Sequence, residues 1–139
     1  MHSYLNQQTQ SIRQISDLRF GIPIIIGNDG VNALVFSIET LTTSNFGKRE
    51  RNFSEPGYES YIAITKNRAN LLKIRVYEED IARIKMPKEM SLDWIKATAD
   101  PALDLDYPLK GPYESYRNGK GDIARIGIKF CKEAELLPA

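Results

Sequence analysis

A chain of 139 residues with 42% hydrophobic and 27% charged side chains has the size and balance of one globular domain, 1–139, which excludes disorder and low complexity. Its 19 basic and 18 acidic residues leave a net charge of +1, so no long-range field draws it to DNA or to an anionic membrane. A single cysteine, Cys131, excludes an internal disulfide, and no stretch approaches the ~18 apolar residues of a membrane span.

The start, Met1 to Gln14, is polar and lacks the apolar core of a secretion signal, so a cytoplasmic location and no membrane partner are expected. Leu5, Ile12, Ile15 and Leu18 recur at helical spacing, and Gly21 stands where a left-handed cap would end that helix. Ile22-Pro23-Ile24-Ile25-Ile26 and Val31 to Phe36 flank an Asp29-Gly30 turn, which predicts a β-hairpin. Ser37 to Leu41 reads as a short helix capped by Ser37, and the polar, turn-rich run from Gly47 to Ser60 as a mobile surface loop. Tyr61 to Ile64 reads as a strand and Lys66 to Leu72 as a short helix. Ile81 to Met86 reads as a strand with poor alternation of polar and apolar positions. Ser91 caps a helix that carries Leu92, Trp94, Ile95 and Ala99, and Asp100-Pro101 stops it. After a proline-rich loop, Ile123, Ile126, Phe130, Ala134 and Leu137 mark the core stripe of a final helix that opens near Asp122.

Catalytic chemistry is poorly provided for. Zinc needs a cluster of nitrogen or sulfur donors, and the chain offers only His2 and Cys131, so no metal site is expected. A serine or cysteine nucleophile lacks a histidine base in the folded body. The acidic groups Glu78-Glu79-Asp80 and Asp104/Asp106 read as solvated surface. Gly119-Lys120-Gly121-Asp122-Ile123-Ala124 fits G-x-G-x-x-A ahead of a helix, a pattern that can turn backbone N–H groups toward a phosphate. It follows no convincing strand, however, and reads as a loop leading into a helix. Tyr107, Lys110, Tyr113, Tyr116, Arg117 and Lys120 interleave rings and cations as single-strand binders do, but an ordinary packed wall has the same composition and nucleic acid is not an expected partner.

Several short segments carry a resemblance: Ser16-Asp17-Leu18-Arg19-Phe20-Gly21-Ile22-Pro23 with the hairpin after it, Thr65-Lys66-Asn67-Arg68-Ala69, Ala99-Asp100-Pro101 with Pro108-Leu109-Lys110-Gly111-Pro112, and Leu136-Leu137-Pro138-Ala139. Together they resemble the N-terminal domain ahead of the catalytic domain in alphaproteobacterial GTP cyclohydrolase II proteins of riboflavin biosynthesis. That domain is itself similar to a degenerate 3,4-dihydroxy-2-butanone 4-phosphate synthase. The resemblance implies an α+β fold, a mixed β-sheet with helices packed on it. The three-cysteine zinc site of the cyclohydrolase domain has no counterpart, and the chain ends about where that domain would begin. In place of the synthase's acidic magnesium cluster stands Asn28-Asp29-Gly30, and its catalytic histidine is missing.

The expectation is therefore a non-catalytic domain with no cofactor, whose partners are a second copy of itself or a GTP cyclohydrolase II catalytic domain. The alternative is a sugar-phosphate or nucleotide binding module, with Lys66, Arg68 and Lys120 as ligand-binding residues, or a residual synthase-like enzyme acting through Asp29 and Glu39.

Overall fold

The computed structural model describes residues 12–44, 59–87, 91–108 and 111–139. Within them helix α1 covers 12–19 and buries Leu18 completely. Gly21 ends it at φ 75°. The Ile22 N–H donates to the Asp17 carbonyl at 2.8 Å and the Gly21 N–H to the Leu18 carbonyl at 3.1 Å, the bond pair of a left-handed helix stop. The hairpin forms as expected from strands β1 (Ile24–Asn28) and β2 (Val31–Val35). Asp29 and Gly30 have φ of 50° and 77°, the two left-handed residues of a tight turn whose twist suits the strands. In its antiparallel register Ile24 faces Val35 and Ile26 faces Ala33 on the inner side, which leaves the Ile25–Leu34 pair on the outer side.

Residues 38–40 form a turn rather than the expected helix. The cause lies in bonds made from far along the chain. Lys96 Nζ donates to the carbonyls of Ile38 and Glu39 at 3.0 Å, the Ile38 N–H goes to the Ala139 carbonyl at 3.3 Å, and Thr40 Oγ1 reaches the Leu18 carbonyl at 3.0 Å. These long-range bonds hold the segment as a turn, closed by the Leu41 N–H on the Ile38 carbonyl at 3.2 Å. The loop expected from Gly47 onward lies almost wholly outside the described residues.

Strand β3 (Tyr61–Thr65) runs directly into helix α2 (Lys66–Leu71), and strand β4 (Ile81–Lys85) follows. The Thr65 side chain caps α2 by accepting from the Arg68 N–H. The Lys66 N–H meets the Asp80 carbonyl at 3.0 Å, so the chain re-enters the sheet beside the point where it left, and β4 must run antiparallel to β3. Among the described residues the strands therefore form two separate two-stranded antiparallel sheets, not the one mixed sheet expected. The α+β class holds. A backbone segment at Glu114 to Tyr116 lies along the free edge of β4, with a bridge between Ile84 and Ser115.

The weak alternation of β4 has a simple cause: both of its faces are covered. Ala82 and Ile84 join Ile62, Ile64, Ala69, Ile74 and Ile95 in the largest core cluster, whereas Ile81 packs on the other side with Ala124 and Ile128. Helix α3 (Leu92–Ala99) begins at Ser91, whose hydroxyl accepts from the Trp94 N–H at 3.1 Å, and gives way to a 3-10 turn, Pro101–Leu103. Helix α4 (Asp122–Glu133) serves both sheets. Its buried stripe is Ile123, Ala124, Gly127, Ile128 and Cys131, while Ile126 and Phe130 are only half-buried and Leu137 lies beyond its end. The stripe is shifted from the expected one because small residues line it. At Gly127 a Cβ would already stand 3.4 Å from Val35 Cγ1, so the helix packs closely against the hairpin.

Lys73 (φ 59°) and Glu135 (φ 60°) close α2 and α4 in the left-handed conformation without being glycine. That conformation costs a residue with a Cβ about 1 kcal/mol. Lys73→Gly and Glu135→Gly should each raise the thermal unfolding midpoint followed by circular dichroism, and Gly21→Ala should lower it. Burial pushes the Cys131 thiol up to about 11. Iodoacetamide at neutral pH should therefore label Cys131 slowly in the native chain and readily in urea.

Candidate functional site

The three residues expected to bind a ligand occupy three different places. Arg68 is 6% exposed and held by the protein through four of its five side-chain donors. Its Nε donates to the Thr98 carbonyl at 2.8 Å and its Nη2 to the Ala97 carbonyl at 3.0 Å. The same guanidinium grips Asp104 with bonds of 2.8 and 2.7 Å. Arg68 thus joins α2 to the carboxyl end of α3, where the helix dipole favours a cation. Lys66 is exposed, and two positions apart on a helix it does not share a face with Arg68. Lys120 is exposed and lies 3.9 Å from Asp29 at the hairpin turn.

A second arginine, Arg83 on β4, organises the opposite side of the β3–β4 sheet and was not singled out by its sequence position. It is 5% exposed. Its Nε and Nη2 hold the two oxygens of Glu78 at 3.2 and 2.7 Å. Nη1 donates to the Asn118 and Lys120 carbonyls at 2.8 and 3.4 Å, and Nη2 to the Gly119 carbonyl at 3.1 Å. The guanidinium carbon also lies 5.3 Å from the Tyr61 ring centre and 5.2 Å from that of Tyr116, within cation–π range of both. The glycine-rich loop before α4 therefore turns carbonyls inward onto the chain's own cation. An anion cradle requires the reverse, N–H groups aimed at the ligand. Gly121 is needed here for a different reason: a Cβ would meet Glu78 Oε1 at 2.7 Å.

Two tyrosines of the aromatic and basic run, Tyr113 and Tyr116, are built into the wall, whereas Tyr107 is exposed. Tyr113 stacks on Trp94 with ring centres 5.4 Å apart and shares a 3.1 Å hydrogen bond with Thr98 Oγ1. Tyr116 stacks on Tyr61 at 4.7 Å and its hydroxyl donates to Glu59. Burial, reinforced by that carboxylate, pushes the Tyr116 hydroxyl up to about 12. The bonds from Tyr116 and Asn118 hold the Glu59 carboxyl below its ordinary value. Lys110 lies outside the described residues. Of the acidic groups, Glu78 pairs with Arg83, Asp80 with Arg125 at 2.6 Å, and Asp104 with Arg68. No group of three or more His, Cys, Asp or Glu suited to a metal occurs among the described residues.

Among the described residues, two cavities bear on these groups. One, about 210 Å³, lies against the Arg83 cluster and is lined by Arg75, Tyr77, Glu78, Ser115, Tyr116 and Arg117. There the Arg117 guanidinium sits 3.9 Å from the Tyr77 ring centre and that of Arg75 sits 5.2 Å from it. The other, about 260 Å³, is an apolar cleft between β2 and β3, walled by residues that include Val35, Phe36, Ile62, Ile128 and Cys131. On the outer side of the hairpin Ile25 (66%) and Leu34 (37%) stand exposed, and Phe20 (79%) and Ile22 (49%) are exposed on the segment leading into β1. No helix among the described residues is long and apolar enough to cross a membrane.

Arg83→Lys should lower stability by about 2 kcal/mol in urea unfolding, because an ammonium cannot hold Glu78 and the loop carbonyls together. Arg68→Lys should cost less, since Asp104 is 38% exposed and water shares its charge. No family model, curated protein or solved structure matches the chain.

Proposed function

We propose that this chain is a non-catalytic association domain of a GTP cyclohydrolase II-like protein of riboflavin biosynthesis, and that it self-associates through the outer face of its first hairpin. The observation that carries the reading is that face. Ile25 and Leu34 are direct cross-strand partners, both exposed, with Phe20 and Ile22 exposed on the connection into β1. A two-stranded hairpin is marginal alone and gains from cover on both sides; here α4 covers only the inner one. Clustered apolar side chains left in water mark interaction surfaces, whereas isolated ones need no explanation.

The family part of the reading rests on the resemblance of the short segments between Ser16 and Ala139. The non-catalytic part is supported by the commitment of charged groups to structure. Arg68, one of the expected ligand-binding residues, is engaged by Asp104 and the α3 carbonyls.

Light scattering behind size exclusion should give a dimer for the purified chain and a monomer for the double variant Ile25→Asp/Leu34→Asp, whose side chains point outward. A wild-type chain that stays monomeric at high concentration would overturn self-association. Incubation with GTP, and separately with ribulose 5-phosphate and Mg²⁺, should yield no product; turnover of either would remove the non-catalytic reading.

A further inference from the structure

We infer that the cavity beside the Arg83 cluster is an anion site that takes a compact dianionic group, such as the phosphate of a small ligand, on Arg75 and Arg117. The argument begins with charge. Arg75 and Arg117 converge on one ring, that of Tyr77, and no ion pair is formed by either among the described residues. Two guanidinium groups held on one tyrosine repel each other, and the ring's quadrupole offsets only part of that. A dianion in the cavity that both line reverses the sign of the local balance.

The one carboxylate of the lining does not compete. Glu78 has both oxygens held by Arg83, so that pair is neutral as a unit and forms the floor of the cavity. The floor is also rigid: the Tyr116 N–H donates to the Arg83 carbonyl at 2.9 Å, and Ser115 bridges to Ile84. A preorganised floor reduces the ordering cost of binding. Arginine suits the task because its planar fork matches the paired oxygens of an oxyanion. The cavity, about 210 Å³, is smaller than the ~300 Å³ at which pockets for drug-sized ligands begin, so it fits a phosphate group with a short substituent and not a whole dinucleotide.

The site involves none of the hairpin residues proposed for self-association, and its test is separate. Inorganic phosphate is titrated into the ¹⁵N-labelled full chain, with sodium chloride at matched ionic strength as the control. The expected result is saturable shifts confined to amides near residues 75–78 and 115–119. Arg117→Gln and Arg75→Gln should each weaken binding about tenfold. Both side chains are exposed, so the variants should keep the wild-type circular dichroism spectrum. Lys66→Gln should bind like wild type. Shifts no larger than those in chloride would overturn the proposal, as would saturation that survives in the Arg75→Gln/Arg117→Gln double variant.

Discussion

The structure depends above all on how it keeps a buried guanidinium satisfied. Removing an arginine from water costs several kcal/mol unless each of its donors finds a partner, and Arg83 finds Glu78 together with the carbonyls of residues 118–120. This requirement shapes a long stretch of chain. The loop before α4 must bring three successive carbonyls to one point, which it does with Gly119 at φ 63°. Gly121 must lack a side chain because Glu78 occupies the space. Tyr61 and Tyr116 must flank the cation, and their stacking ties the beginning of β3 to the strand-like segment at Ser115. Arg68 repeats the solution at the other side of the same sheet, using the end of α3 in place of a loop.

Local chemistry made much of the fold legible in the sequence. The Asp29-Gly30 turn, the Gly21 stop, the Ser91 cap and the break at Asp100-Pro101 all act through nearest neighbours, and each appears where the residues place it. What escaped depends on distant partners. Ser37 to Leu41 carries helical signals, yet its bonds with Lys96 and Ala139 hold it as a turn. Sheet pairing escaped for the same reason, since it follows from the return of Asp80 to Lys66.

Candidate site residues fared less evenly because sequence shows a charge but not whether it is spent. Arg68 drew attention as a ligand contact, and four of its five side-chain donors are occupied. Arg117 was grouped with a run of tyrosines, and the structure separates it from them: Tyr113 and Tyr116 are packed into the wall, while Arg117 meets Tyr77 from a different segment. Arg83 left no such trace: set between Ala82 and Ile84 it keeps the alternation of a half-exposed strand, and nothing local shows that its side chain is taken inside.

Helix α4 has a consequence for how the molecule comes apart. Its narrow stripe of Ala124, Gly127, Ile128 and Cys131 touches the inner side of the hairpin and the underside of the β3–β4 sheet at once. On that side the hairpin is otherwise lined by Leu18 and Leu136, and the β3–β4 sheet by the Arg83 cluster. If the helix lifts, both sheets lose part of their cover together, which couples the opening of the two halves. The four residues along that stripe act as a common keel for both sheets.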